Sequence, residues 1–179
     1  GIFSVFSLIK RNEKLKIAVF ESGYSLEKRR CPIVGKKVKS CVKCPVCAIM
    51  SGFGGAGAFS DGKYNITNDF GGTLYEYIGR EEALSLMRYV DEINMSHGGG
   101  DTKMYSTAGT QFKKVCLQNK LKLLDASVRH LGTDINYVVL EKLYEELKDQ
   151  IEFHFQSPVE EIQAVKEGYR VVCKERSYE

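Results

Sequence analysis

The chain has 179 residues, 43% of them hydrophobic and 27% charged. This is the size and balance of one globular domain, or one domain and part of a second, with a core of its own. A formal net charge of +3 at pH 7 is too small to call for a nucleic-acid partner, and no apolar run approaches the ~18 residues of a membrane span.

The apolar start, residues 1–9, has neither a basic lead nor a small-residue cleavage site, so it does not read as a signal peptide. Four of the six cysteines fall between Cys31 and Cys47. Without a secretion signal, that clustering favours thiols or a metal site over a disulfide framework, and a cytoplasmic location is expected.

In chain order, residues 2–10 predict a helix, with Ile2, Val5, Phe6 and Ile9 on one apolar stripe. Residues 16–20 predict a short, continuously apolar strand of the kind buried in a parallel sheet, ending at Glu21. Residues 22–72 read as one long irregular segment, a length that usually marks function. Within it, Lys28-Arg29-Arg30 and Lys36-Lys37-Val38-Lys39 form a solvated basic stretch that could also attract phosphate. Helical spacing returns at 81–95, halted by His97-Gly98-Gly99-Gly100, and again at 110–119. Residues 122–126 and 128–131 look extended. Thr133 or Asp134 can cap a helix to about residue 150, with Val138, Val139, Leu143, Tyr144 and Leu147 inward. A half-buried strand at 151–155 and a hairpin of 159–165 with 169–173 complete the order, which implies an α/β fold with a partly parallel sheet.

Two features carry chemistry. Dinucleotide folds place a pyrophosphate on a Gly-rich turn at a helix N-terminus, and a carboxylate about 20 residues on takes the ribose hydroxyls. Gly1 opens a helix here and Glu21 ends a strand, although a helix and strand with a surface Glu fit the same spacing. The stretch Gly52-Phe53-Gly54-Gly55-Ala56-Gly57-Ala58-Phe59-Ser60-Asp61-Gly62-Lys63 has five glycines in twelve residues. Its bare amides could form an anion nest, with Ser60 and Lys63 adding a hydroxyl and a charge; the interleaved Phe and Ala argue against a plain linker.

Cys41-x-x-Cys44-x-x-Cys47, with Cys31 ten residues earlier, suits zinc or an iron–sulfur cluster. A redox pair assisted by Lys39 and Lys43, or a set of free thiols in a loop, are the other readings of the same spacing. Of the three histidines, His97 reads as a helix end and His154 as an exposed strand residue. His130, between Arg129 and Gly132-Thr133-Asp134, is either a general acid/base or a loop residue before a helix.

Gly1-Ile2-Phe3 followed by Val19-Phe20-Glu21-Ser22-Gly23 resembles the start of FAD-binding domains of the glutathione-reductase-like superfamily. Together with Glu27 to Pro32, Cys41 to Cys47, Gly52 to Lys63, Glu76 to Gly79, Tyr89 to Ile93 and Val128 to Asp134, the chain resembles the bacterial FAD-dependent, or NAD(FAD)-utilising, dehydrogenases over almost its whole length. The resemblance implies a Rossmann-type FAD-binding domain with a partly parallel sheet and a β-hairpin, incomplete at both ends. Residues 1–72 would hold a partial FAD-binding region with the Cys/Gly-rich loop, 73–132 a helical insert or cap, and 133–179 the returning part of the domain.

The same resemblance makes Gly1 the third glycine of the turn, with the first strand and first two glycines expected ahead of it. Glu21 becomes the ribose carboxylate, and Arg29 or Arg30 the basic residue at the pyrophosphate. Gly54, Gly55, Ala56, Gly57 and Ser60 become the turn near the flavin, and the Val159 backbone the reader of the adenine edge. The expected activity is that of an FAD-dependent oxidoreductase acting on a small-molecule substrate, with NAD(P)H as electron donor. The rival expectations are a metal- or phosphate-binding, non-catalytic α/β module and an inactive fragment of a flavoenzyme.

Overall fold

A computed structural model describes residues 1–179 except Glu13 and Glu175. In chain order its elements begin α1 (Ile2–Arg11), β1 (Ile17–Phe20), β2 (Lys63–Ile66), α2 (Leu74–Ile78) and α3 (Arg80–Asn94). They continue β3 (Met104–Ser106), α4 (Phe112–Gln118), β4 (Ser127–His130), α5 (Gly132–Leu147) and β5 (Ile151–His154). Three strands follow: β6 (Val159–Val165), β7 (Gly168–Cys173) and β8 (Arg176–Tyr178). The chain divides into two compact units, residues 1–59 with 140–179 and residues 60–139.

In the first unit β1 and β5 pair in parallel, Ile17 opposite Ile151 and Phe20 opposite His154. This is the parallel pair that the apolar run at 16–20 called for, but β1 is only half buried. β5 is its one ladder partner among the described residues, so the strand lacks the flank that would cover it. β6, β7 and β8 form a separate antiparallel sheet in that order, with a register shift between Val159 and Glu161. The apolar stripe of α1 is buried at Val5, Phe6 and Ile9. Leu140, Leu143 and Leu147 of α5 are buried in that unit too, with Ile151, Phe53, Leu26, Ala58 and Cys173.

The buried stripe of α5 is thus 139, 140, 143 and 147; Val138, expected inward, is 38% exposed. Phe53 stands edge-on to Tyr144 (5.1 Å between centroids) and Phe153 (5.8 Å), and Phe153 stacks on Phe155 at 5.6 Å. This cluster anchors the Gly-rich stretch from within, which is why its aromatic is not that of a linker.

The second unit holds an antiparallel sheet in the order β2-β4-β3. Residues 122–126, expected extended, form no strand, because side-chain hydroxyls supply their bonds. Thr67 Oγ1 donates to Asp125 O at 2.8 Å, and Ala126 N donates to Thr107 Oγ1 at 3.0 Å. The glycine run at 98–100 does not stop α3 outright. The chain passes through a wide turn over Met95–Gly99, where His97 is buried with Nδ1 2.6 Å from Ile93 O. His154, expected exposed, is instead stacked on Phe20 at 4.7 Å and capped by Tyr178 at 4.6 Å, because β5 turns that face toward the end of β1. No helix among the described residues is long and apolar enough to cross a membrane.

Candidate functional site

The site starts where β1 ends. Backbone pairing with the β5 side continues past the strand: Glu21 N donates to His154 O, Ser157 N to Glu21 O and Gln156 N to Gly23 O, all at 2.9 Å. These bonds hold the Glu21–Gly23 turn against residues 154–157 at the carboxyl end of two parallel strands, the position where open α/β sheets receive ligands. Glu21 Oε1 accepts from Gly23 N (2.7 Å), Gly52 N (3.0 Å) and Ser22 Oγ (3.2 Å). Oε2 carries no hydrogen bond among the described residues.

The approach of the Gly-rich stretch to this turn depends on two glycines. A Cβ on Gly23 would stand 2.4 Å from Gly52 N, and one on Gly52 (φ +120°) would meet Tyr24 O at 2.6 Å. Only residues without side chains let the two backbones touch, and they do so through a Tyr24–Gly52 bridge with Phe53 N donating to Tyr24 O at 3.0 Å.

Arg29 fixes the other side of the loop. Its Nε donates to Ala48 O (2.9 Å), Nη1 to Phe53 O (2.7 Å) and Gly55 O (2.8 Å), and Nη2 to Ile49 O (2.7 Å). The guanidinium also lies over the Phe59 ring at 4.8 Å. Burial lowers its pKa while the Glu21 and Cys47 charges oppose that fall. With four carbonyls engaged, this side chain is an internal staple rather than a cation presented outward. Gly55 therefore shares the staple through its carbonyl, and Gly54 packs against Leu140. Ala56 and Gly57 lie exposed in the 3₁₀ turn Ala56–Phe59.

A cavity of about 530 Å³ opens beside the turn, lined by Ser22, Tyr24, Ser157, Lys174, Arg176 and Tyr178 among others. It offers two serine hydroxyls, two cations and two tyrosines within one unit of the chain. Neither Lys174 nor Arg176 stood out in the sequence; the cue was only their place just after the hairpin, and Lys174 stands one residue from Cys173 in the same wall.

The remaining candidates lie elsewhere. Gly1 precedes α1, whose first turn has no acidic residue, and Val5 N donates to its carbonyl at 3.1 Å. Arg30 is exposed next to the buried Arg29. Val159 opens the edge strand β6, opposite Cys173. Ser60 belongs to the second unit, where its Oγ accepts from Gly62 N at 3.2 Å and its carbonyl accepts from Thr133 Oγ1 at 3.2 Å. His130 is exposed at the end of β4, opposite Lys63. The same unit holds a bidentate pair that no local sequence pattern marks, Arg129 Nε to Asp91 Oδ1 at 2.7 Å and Nη2 to Oδ2 at 2.8 Å, with Nη1 also donating to Thr102 O. The Asp91 partner raises the Arg129 pKa.

The cysteines are all free. Cys31, Cys41, Cys44 and Cys47 line one small, mainly apolar cavity of about 100 Å³ with Pro32, Ile33, Val42 and Ala48. Lys43 N donates to Cys41 Sγ at 3.4 Å. The Met50 and Ile49 amides, in that order, draw the Cys47 thiol below the ordinary thiol range; slight burial opposes this and Arg29 adds to it. Among the described residues, no three His, Cys, Asp or Glu side chains are grouped to hold a metal ion. Comparison with protein-family models, with curated proteins and with solved structures finds no match to this chain, so the reading of the site rests on its own residues.

Proposed function

We propose that this chain carries the adenosine end of an FAD site in a flavin-dependent oxidoreductase, on a Rossmann-type arrangement in which β1 and β5 are neighbouring parallel strands. The observation that supports this most is the turn after β1. One oxygen of Glu21 is held by the Gly23 and Gly52 amides and the other is open to a diol, beside a cavity with room for a nucleotide. A carboxylate so placed accepts two ribose hydroxyls, as dinucleotide folds require.

Lys174 and Arg176 would supply the positive charge for the pyrophosphate, the part first expected of Arg29. Tyr24 and Tyr178 would pack on the adenine, and the free edge of β6 at Val159 would read its polar rim. When bound, the flavin supplies hydride or electron transfer with a small-molecule substrate and NAD(P)H; the chain's residues bind and orient it. The experiment is titration of the chain with FAD, followed by flavin fluorescence, beside Glu21→Ala and Lys174→Ala. Saturable binding weakened about tenfold or more by either change supports the reading, at about 1.4 kcal/mol per tenfold. Absence of binding by the folded wild-type chain refutes it. A metal-binding, non-catalytic module is the second reading, favoured by the four-cysteine cavity alone.

A further inference from the structure

We propose that Cys31, Cys41, Cys44 and Cys47 are the four ligands of a [4Fe–4S] cluster. The inference is independent of the flavin site. Three observations carry it.

The first is convergence at the right scale. Four cysteines, Cys31 and then the C-x2-C-x2-C run that starts ten positions later, line a single cavity of about 100 Å³, and none is in a disulfide. A cube of eight atoms takes one cysteine on each of its four iron corners, so four thiols that line one cavity match its ligand count. The spacing C-x2-C-x2-C with a remote Cys-Pro, here Cys31-Pro32, is also that of four-iron ferredoxin ligands.

The second is what the backbone does around the sulfurs. Lys43 takes a left-handed conformation (φ +50°) that bends the chain between Cys41 and Cys44, and its amide donates to Cys41 Sγ at 3.4 Å. Amide donors to ligand sulfurs stabilise charge on a cluster and tune its potential.

The third is charge. From residue 28 to residue 60 there are seven Lys and Arg and no Asp or Glu. Four thiolates on an iron–sulfur cube carry net negative charge, which a carboxylate-free cationic segment balances. The wall around the four thiols is mainly apolar, with Ile33, Val42 and Ala48 in it. Arg29 ties this segment down by holding the carbonyls of Ala48 and Ile49, immediately after Cys47.

Loading can be written as ligand exchange without any change in oxidation state. Each cysteine S–H gives its proton to a thiolate leaving the cube as the new S–Fe bond forms, so four free thiols depart and four cysteinyl bonds replace them. The test exposes the reduced chain, under argon, to a synthetic [4Fe–4S] cube bearing four small thiolates, and then removes unbound cluster. The expected result is about four irons and four acid-labile sulfides per chain, with a broad visible band that bleaches on reduction. Cys44→Ser should lose most of the iron, while Cys116→Ser, in α4 of the other unit, should retain it. Circular dichroism of Cys44→Ser separates loss of a ligand from loss of fold. If that variant is unfolded, electron paramagnetic resonance of the reduced wild type decides instead, with a cubane signal supporting the site. Wild-type protein that takes up no iron, or that takes one zinc ion in preference with no labile sulfide, overturns the proposal.

Discussion

Gly52 N donates to Glu21 Oε1 across 31 residues at 3.0 Å, joining the carboxylate after the first strand to the first glycine of the mid-chain stretch. The bond stands where a Cβ on either Gly23 or Gly52 would collide with backbone, so local sterics and the site chemistry are coupled.

Gly23→Ala should therefore destabilise the first unit by about 2 kcal/mol or more, since overpacking typically costs about 1–3 kcal/mol and the clash here is with backbone. A urea melt should show a lower midpoint with an unchanged slope. Gly57→Ala, where an added Cβ meets nothing within 4 Å, should leave the midpoint near that of the wild type.

Arg29→Met should cost about 3 kcal/mol or more, because it strands carbonyls at Ala48, Ile49, Phe53 and Gly55 that the guanidinium now satisfies. Arg29→Lys should recover only part of the loss, since an ammonium cannot reach four acceptors in a fork. Limited proteolysis across residues 44–57 should become faster in both variants.

Asp91→Ala leaves the half-buried Arg129 without its bidentate partner, an effect of about 1.5–3 kcal/mol. Replacing both, as in Asp91→Leu with Arg129→Met, should cost less than the sum of the single changes. A double-mutant cycle on denaturant midpoints measures the coupling.

The Cys47 thiol lies below its ordinary range in the folded chain, through the Met50 and Ile49 amides first. A depressed pKa favours the charged form, so its contribution to stability is present above the unfolded pKa and lost as pH falls through the folded one. In reduced, iron-free protein, alkylation of Cys47 followed by peptide mass should have its pH midpoint below that of the same protein in urea.

Much of the framework was legible because it is periodic. The stripe of Val5, Phe6 and Ile9, the apolar run into Phe20, and the alternation of the hairpin each exceed a turn or two of regular pattern. β3 and β8, at three residues each, are too short to show one. The site was half legible: Glu21 and the Gly-rich stretch each drew notice, but their contact is long-range. Arg29 looked like part of a solvated basic run, because nothing in Lys28-Arg29-Arg30 tells which cation turns inward. Asp91 and Arg129, 38 residues apart, leave no local trace. His154 alternates as an exposed residue would, yet ring stacking on Phe20 covers it.

Whether the turn at Glu21 grips an adenosine diphosphate is the point on which the functional account stands. Competition measures it directly: the folded chain is loaded with FAD, then challenged separately with ADP and with FMN while flavin fluorescence is recorded. The account predicts that ADP displaces FAD and that FMN, lacking the adenosine half, binds far more weakly. FMN binding as tightly as FAD, with ADP without effect, would contradict it.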